Sequence, residues 1–168
     1  MLHRSLTYHL ATISEDGIGH AGRIFETRFG WNVREIRVLR LIRSNPGITF
    51  TELARQTKFE RSLTSRILAK LMKAGLVART NSTKDARVFT LTATKPGLAL
   101  CDQADPLSIE LEAMMLEPLT EEQRAAFLEM IDTVRRWVQT GYREKVAARF
   151  PEAVAGKAPK RAVKIVAK

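Results

Sequence analysis

The sequence predicts a mainly α fold with one small β ribbon, and three observations carry that reading. Apolar residues recur at i, i+3, i+4 and i+7 along most of the chain. Strand-like alternation of β-branched and aromatic residues is confined to positions 76–92. Helix-stopping residues, Asn45-Pro46-Gly47 and Gly75, fall between the periodic stretches.

The elements follow in order. Leu6, Leu10 and Ile13, then Ala21, Ile24, Phe25 and Phe29, mark a long first helix, loosened at Gly17 and Gly19. A second helix covers residues 33–44, with Ile36, Leu39 and Ile42 inward. Thr49 or Thr51 caps a short third helix with Glu52 in its first turn and Leu53 and Ala54 on its apolar face. Phe59-Glu60-Arg61 interrupts the pattern. A fourth helix then presents Thr64, Ile67, Leu68 and Leu71 on one face and stops at Gly75. Two helices across so short a turn form a helix-turn-helix, whose second helix can enter the DNA major groove.

The outer face of that fourth helix carries Arg61, Ser62, Ser65, Arg66, Ala69, Lys70 and Lys73. Hydroxyls and long cations are the types that meet base edges and phosphates. Thr51 and Leu63 complete the expected DNA-facing set on these two helices. Residues 76–80 and 87–92 read as two strands around a polar turn at 81–86. Behind a helix-turn-helix such a hairpin is a wing, and its Lys84 and Arg87 suit a minor groove of negative potential. Residues 96 to about 117 and 120 to about 149 form a fifth and a sixth helix, the latter opened by the capping-box-like Thr120-Glu121-Glu122-Gln123. Phe127, Ile131, Val134, Val138 and Tyr142 line one face of the sixth.

The fold class is therefore α+β, mainly α with a small β-wing. Residues 47–96 form a winged helix-turn-helix, residues 1–46 and 97–150 a helical region, and 151–168 a flexible basic tail. The chain of 168 residues has a net charge of +10, unevenly placed. Residues 47–95 carry +7 and residues 96–140 carry −6. A basic module beside an acidic one argues for a directed DNA-binding face. The tail from 153 onward has five basic residues and no acidic one, and serves either as extra phosphate contact or as a solvated terminus. No run approaches the roughly 18 apolar residues of a membrane span, and the N-terminus is not a signal peptide. With one cysteine there is no intramolecular disulfide, and a cytoplasmic protein is expected. His3, His9 and His20 are too scattered for a zinc motif, and no catalytic arrangement stands out. Neither enzyme activity, nor a metal, nor a cofactor is expected.

Four stretches resemble the MarR family of winged-helix transcription regulators: residues 21–42, Glu52-Leu53-Ala54, residues 65–79 and the wing run KDARVFTLTATKPG at 84–97. Within that run the resemblance rests on Asp85, Arg87, Leu91, Thr92 and Gly97. It implies that Asp85 orients Arg87 for the minor groove. It also implies a homodimer through the terminal helices, where the alternative is packing on the same chain, and a pseudo-palindromic operator in double-stranded DNA. A small-molecule effector, often an aromatic acid, is implied between the dimer helices and the winged helix, with His9, Ile13, Arg23, Phe25, Trp31 and Arg34 as candidates. Leu63 stands where the family often has Ser or Thr, which suits contact with thymine methyls. Thr64 replaces a common core Val and needs a partner for its hydroxyl. Pro96 stands where a polar residue is commoner. Some relatives sense peroxide through a cysteine of the first helix. Here Cys101 falls in the fifth, beside Asp102, and a structural role is expected. A repressor is the leading reading. A low-specificity nucleoid-like binder using the tail, and a winged helix used for protein contacts, are the alternatives.

Overall fold

The computed structural model describes residues 5–81 and 89–153. Lys84, Asp85, Arg87 and most of the basic tail lie outside the described residues. The chain forms two compact units, Met1–Met115 and Leu116–Lys168.

In the first unit, α1 (Leu6–Phe29) runs unbroken through Gly17 and Gly19, started by the Ser5 hydroxyl and ended by Gly30 at φ 72°. Next, α2 (Val33–Ser44) opens on a capping box in which Asn32 and Glu35 exchange bonds. Ile48–Thr49 is a short strand, β1, absent from the sequence reading. Thr49, rather than Thr51, caps α3 (Phe50–Thr57), and its hydroxyl and amide hold the Glu52 carboxylate below its usual pKa. The interruption before α4 (Arg61–Lys73) is Lys58-Phe59-Glu60, one residue earlier than expected, because Lys58 adopts the left-handed conformation at φ 58° and Arg61 already belongs to the helix. β2 (Val77–Asn81) and β3 (Phe89–Ala93) pair antiparallel, and β1 adds to the free side of β3, giving the order β1-β3-β2.

The core lies where α2 crosses the helix-turn-helix. Leu39, Ile42, Leu53, Leu71 and Leu91 are fully buried there with Cys101 of α5 (Lys95–Met115). A second cluster joins Phe25 of α1, Ile36 of α2, and Ala104 and Leu107 of α5. Thr64 has found its partners inside: its hydroxyl lies 3.2 Å from that of Thr57 and 3.3 Å from the Glu60 carbonyl. One tight joint connects the end of α4 to the start of α5. The Thr94 hydroxyl donates to the Gly75 carbonyl at 2.6 Å and accepts the Gly97 amide at 3.3 Å.

In the second unit, α6 (Glu121–Thr140) starts on the Thr120–Gln123 capping box. The expected single sixth helix is two: Gly141 ends α6, and α7 (Tyr142–Arg149) follows. Glycine is poor at carrying a helix through, and here it closes the last turn of α6 by bonding back to the Trp137 carbonyl. No residue of α6 is buried, so Leu128, Val134, Trp137 and Val138 are open to solvent.

Candidate nucleic-acid interface

The 3.6-residue period of α4 fixes its two faces. Thr64, Ile67, Leu68 and Leu71 are buried, which turns Arg61, Ser62, Ser65, Arg66, Ala69 and Lys73 to solvent. Thr51 of α3 is exposed as well. No described residue holds Arg66 or Lys73 by an ion pair or hydrogen bond. Arg61 lies with its guanidinium 4.8 Å from the centre of the Phe50 ring, a cation–π contact that steadies the helix start. Arg79 makes the same kind of contact at the base of the wing, 4.0 Å over Phe89.

Two expected DNA contacts are engaged elsewhere. Lys70 donates to the Glu35 carboxylate at 2.7 Å, and its ammonium stands 4.6 Å from the Trp31 ring centre. Leu63 is half-buried, packed against the core and lining a hollow with Asn32, Arg34 and Glu35. Spacing along one helix could not reveal the partners of Lys70, since Glu35 and Trp31 lie well over thirty positions earlier.

Between α1, α2 and α5 lies an open cleft of about 440 Å³. That volume falls in the range of small-molecule sites. Ile13, Ala21, Phe25, Val33 and Leu111 give it an apolar wall, and Arg37, Arg40, Ser108 and Glu112 a polar one. Of the six residues named as ligand candidates, Ile13 and Phe25 line it. Arg34 lines a smaller hollow of about 220 Å³ between α2 and α4, together with Arg66. His9 and Arg23 are exposed on α1, and Trp31 packs against both core clusters; none of the three lines either space. Sequence reasoning missed Arg37 and Arg40. They repeat at intervals of three from Arg34 on α2, which was the available signal.

Arg40 is held in place. Its Nε donates to Asp105 and a terminal nitrogen to Ser108, both at 2.7 Å, while Arg43 takes the other Asp105 oxygen at 2.7 Å. Burial alone pushes the Asp105 carboxyl up. The hydrogen bonds and charges of Arg43 and Arg40 outweigh it and hold the group below the usual carboxylate range. Cys101 is fully buried and its thiol is pushed up by that burial, with Asp102 a minor contributor. Asp102, its neighbour in the chain, is largely exposed. Among the described residues no group of three or more His, Cys, Asp or Glu is placed to hold a metal, and no helix is long and apolar enough to cross a membrane.

Comparison with known proteins agrees with this architecture. The profile of the MarR family matches residues 31–89, from before α2 to the start of β3. The HTH-type transcriptional repressor Rv2887 of Mycobacterium tuberculosis is 32% identical over 103 residues, which is 61% of this chain and 74% of the relative. The solved structure of the M. tuberculosis MarR family protein Rv2887 in complex with salicylic acid superposes with a TM-score of 0.66 at 28% identity, covering 77% of this chain and 96% of that one. The S. aureus MepR–DNA complex superposes with a TM-score of 0.68 at 19% identity, covering 79% and 97%. The chain belongs to the MarR family of winged helix-turn-helix transcriptional regulators.

Proposed function

We propose that this chain is a homodimeric repressor that reads a pseudo-palindromic operator with α4 and is released by a small anionic ligand. The observation that carries the reading is the solvent face of α4, where Ser62, Ser65 and Arg66 stand exposed above a fully packed core face, with Lys73 beyond them. Short hydroxyls and an unengaged guanidinium suit base edges, and Lys73 suits phosphate. Arg61 and Thr51 flank that face, and Lys84, Asp85 and Arg87 add the wing's contribution.

For the dimer, the support is apolar surface left in water. On α1 Leu6 and Ile13 are 55% and 50% exposed. In the second unit Val134, Trp137, Val138 and Tyr142 are similarly open. Residues 1–46 and 97–150 are the dimerising part and 47–96 the reader. A two-fold pair places two α4 helices about 34 Å apart, one turn of DNA. For the ligand, the cleft offers an aromatic and aliphatic wall beside Arg37. That is the guanidinium left to meet a flat carboxylate, since Arg40 is already bonded to Asp105 and Glu112 carries the opposite charge. The salicylic acid complex of Rv2887 supports the same ligand class.

Selection of bound sites from random DNA with the purified chain tests the reading. An inverted repeat with half-sites one turn apart is expected. A featureless set of selected sites would replace it with the low-specificity nucleoid-like binder.

A further inference from the structure

We propose that Glu35 withholds Lys70 from DNA, making a residue of α2 a determinant of how tightly, and with what salt dependence, this chain holds DNA of any sequence. The inference rests on α4 being the DNA-reading helix. Lys70 lies one helical turn beyond Arg66 on that helix, and its side chain is 53% exposed. By position it would be a phosphate ligand. Yet its ammonium is bonded at 2.7 Å to Oε1 of Glu35, whose side chain is only 8% exposed.

The two partners differ in freedom. Glu35 is fixed: its other oxygen accepts the Asn32 amide at 3.0 Å, and its own amide donates to the Asn32 side chain at 2.9 Å. The carboxylate therefore cannot follow Lys70 outward. If Lys70 swung to a phosphate, a buried carboxylate oxygen would lose its partner, a heavy cost in a poorly solvated place. The Trp31 ring face, 4.6 Å from the ammonium, adds a second attraction in the same direction. A solvent-screened phosphate offers less than these two together.

The consequence concerns the part of the affinity that all sequences share. A cation on a phosphate strengthens binding to every sequence alike, and each such contact steepens the fall of log affinity with log salt by about 0.9. Withholding one cation from the centre of the reading face lowers that common term. It leaves the terms that depend on base identity untouched.

The test measures affinity against salt for a random-sequence duplex, using the full chain and the variants Glu35→Gln, Lys70→Gln and the two combined. Glutamine at 35 keeps an oxygen for the Asn32 amide. Relative to wild type, Glu35→Gln is expected to steepen the slope by about 0.9, a further loss of about 3–4-fold between 50 and 200 mM salt. Lys70→Gln alone should match the wild-type slope, and the double variant should return to it. A pair that is merely structural would shift melting temperature and leave all four slopes equal, which overturns the proposal. So would a flattening by about 0.9 in Lys70→Gln alone, a measurement that stands even if Glu35→Gln folds poorly. A wild-type chain that binds no duplex would overturn the DNA-reading function itself, and this inference with it.

Discussion

A Cβ added to Gly97 would stand 2.1 Å from the backbone carbonyl oxygen of Leu76. The α5 helix thus begins pressed against the residue that leads into β2, at a distance no side chain allows. Leu76 cannot retreat, because its carbonyl accepts the Thr94 amide at 3.0 Å. Gly97→Ala is therefore expected to cost about 2–4 kcal/mol, read from urea denaturation. Thr94→Ala, which removes the hydroxyl joining Gly75 to Gly97, should cost about 1 kcal/mol. A Gly97→Ala variant as stable as wild type would show that the joint relaxes freely.

Arg66 and Lys73 should separate by the kind of binding they lose. Arg66→Ala is expected to weaken the selected operator by about 1–3 kcal/mol and random DNA much less. Lys73→Ala should weaken both alike and flatten the salt slope by about 0.9. Equal losses on operator and random DNA for Arg66→Ala would make Arg66 a backbone anchor.

Asp105 supplies an acid-sensitive part of the stability. Its folded pKa lies below the unfolded value of about 3.9, so its contribution is complete above that pH. As pH falls through 3.9 toward the folded value, the unfolded chain takes up the proton first and stability declines. Asp105→Asn should therefore be less stable at neutral pH and show a shallower loss on acidification, measured by thermal melts from pH 6 to 3. An unchanged acid limb would mean that Asp105 contributes nothing to it.

Cys101 should be silent in the native state. Its burial raises the thiol pKa, so the folded chain disfavours the reactive thiolate. A thiol reagent should label it only at the rate of unfolding, and Cys101→Ala should leave any response of DNA binding to peroxide unchanged. The same shift fixes a pH trend. The stability linked to Cys101 is complete below about pH 8.5 and is lost as pH rises toward the folded value. Rapid labelling of the native chain would overturn this.

Lys58 sits in the left-handed region at φ 58° where α3 ends. Glycine adopts that conformation without the steric cost of a Cβ. Lys58→Gly is expected to raise stability by up to about 1 kcal/mol, seen as a higher melting temperature. A fall would show that the lysine stem contributes more by packing than the backbone loses by strain.

What the sequence disclosed was local. The apolar period of α4 marked each of its buried residues, and Thr120-x-x-Gln123 announced its helix through hydrogen bonds three residues long, whereas the cap of α3 stayed open between Thr49 and Thr51 until the Thr49–Glu52 box was seen. β1 was invisible because two residues carry no period; it exists because β3 presents an open edge to Ile48 and Thr49. The break at Gly141 was hidden by Val134, Val138 and Tyr142, whose four-residue spacing runs straight across it. Glu35 with Lys70, and Arg40 with Asp105, join residues 35 and 65 positions apart. Only the folded chain brings such charges together, so the three-residue repeat of arginines on α2 could mark Arg37 and Arg40 but not the Asp105 and Ser108 that hold Arg40.

The single carboxylate of Asp105, gripped by two arginines of α2, makes the cleft mechanically lopsided. Arg40 and Arg43 each take a separate oxygen, and Ser108 adds a third tie, so α2 and α5 resist both sliding and twisting against each other. The third wall is seated differently. α1 meets the pair through Phe25 among Ile36, Ala104 and Leu107, and through the bare backbone of Gly17 against Met115. Such greasy seats have no preferred direction, whereas charged bonds do. The cleft therefore has one wall locked to its neighbour by directional charged bonds and another seated by apolar contact alone.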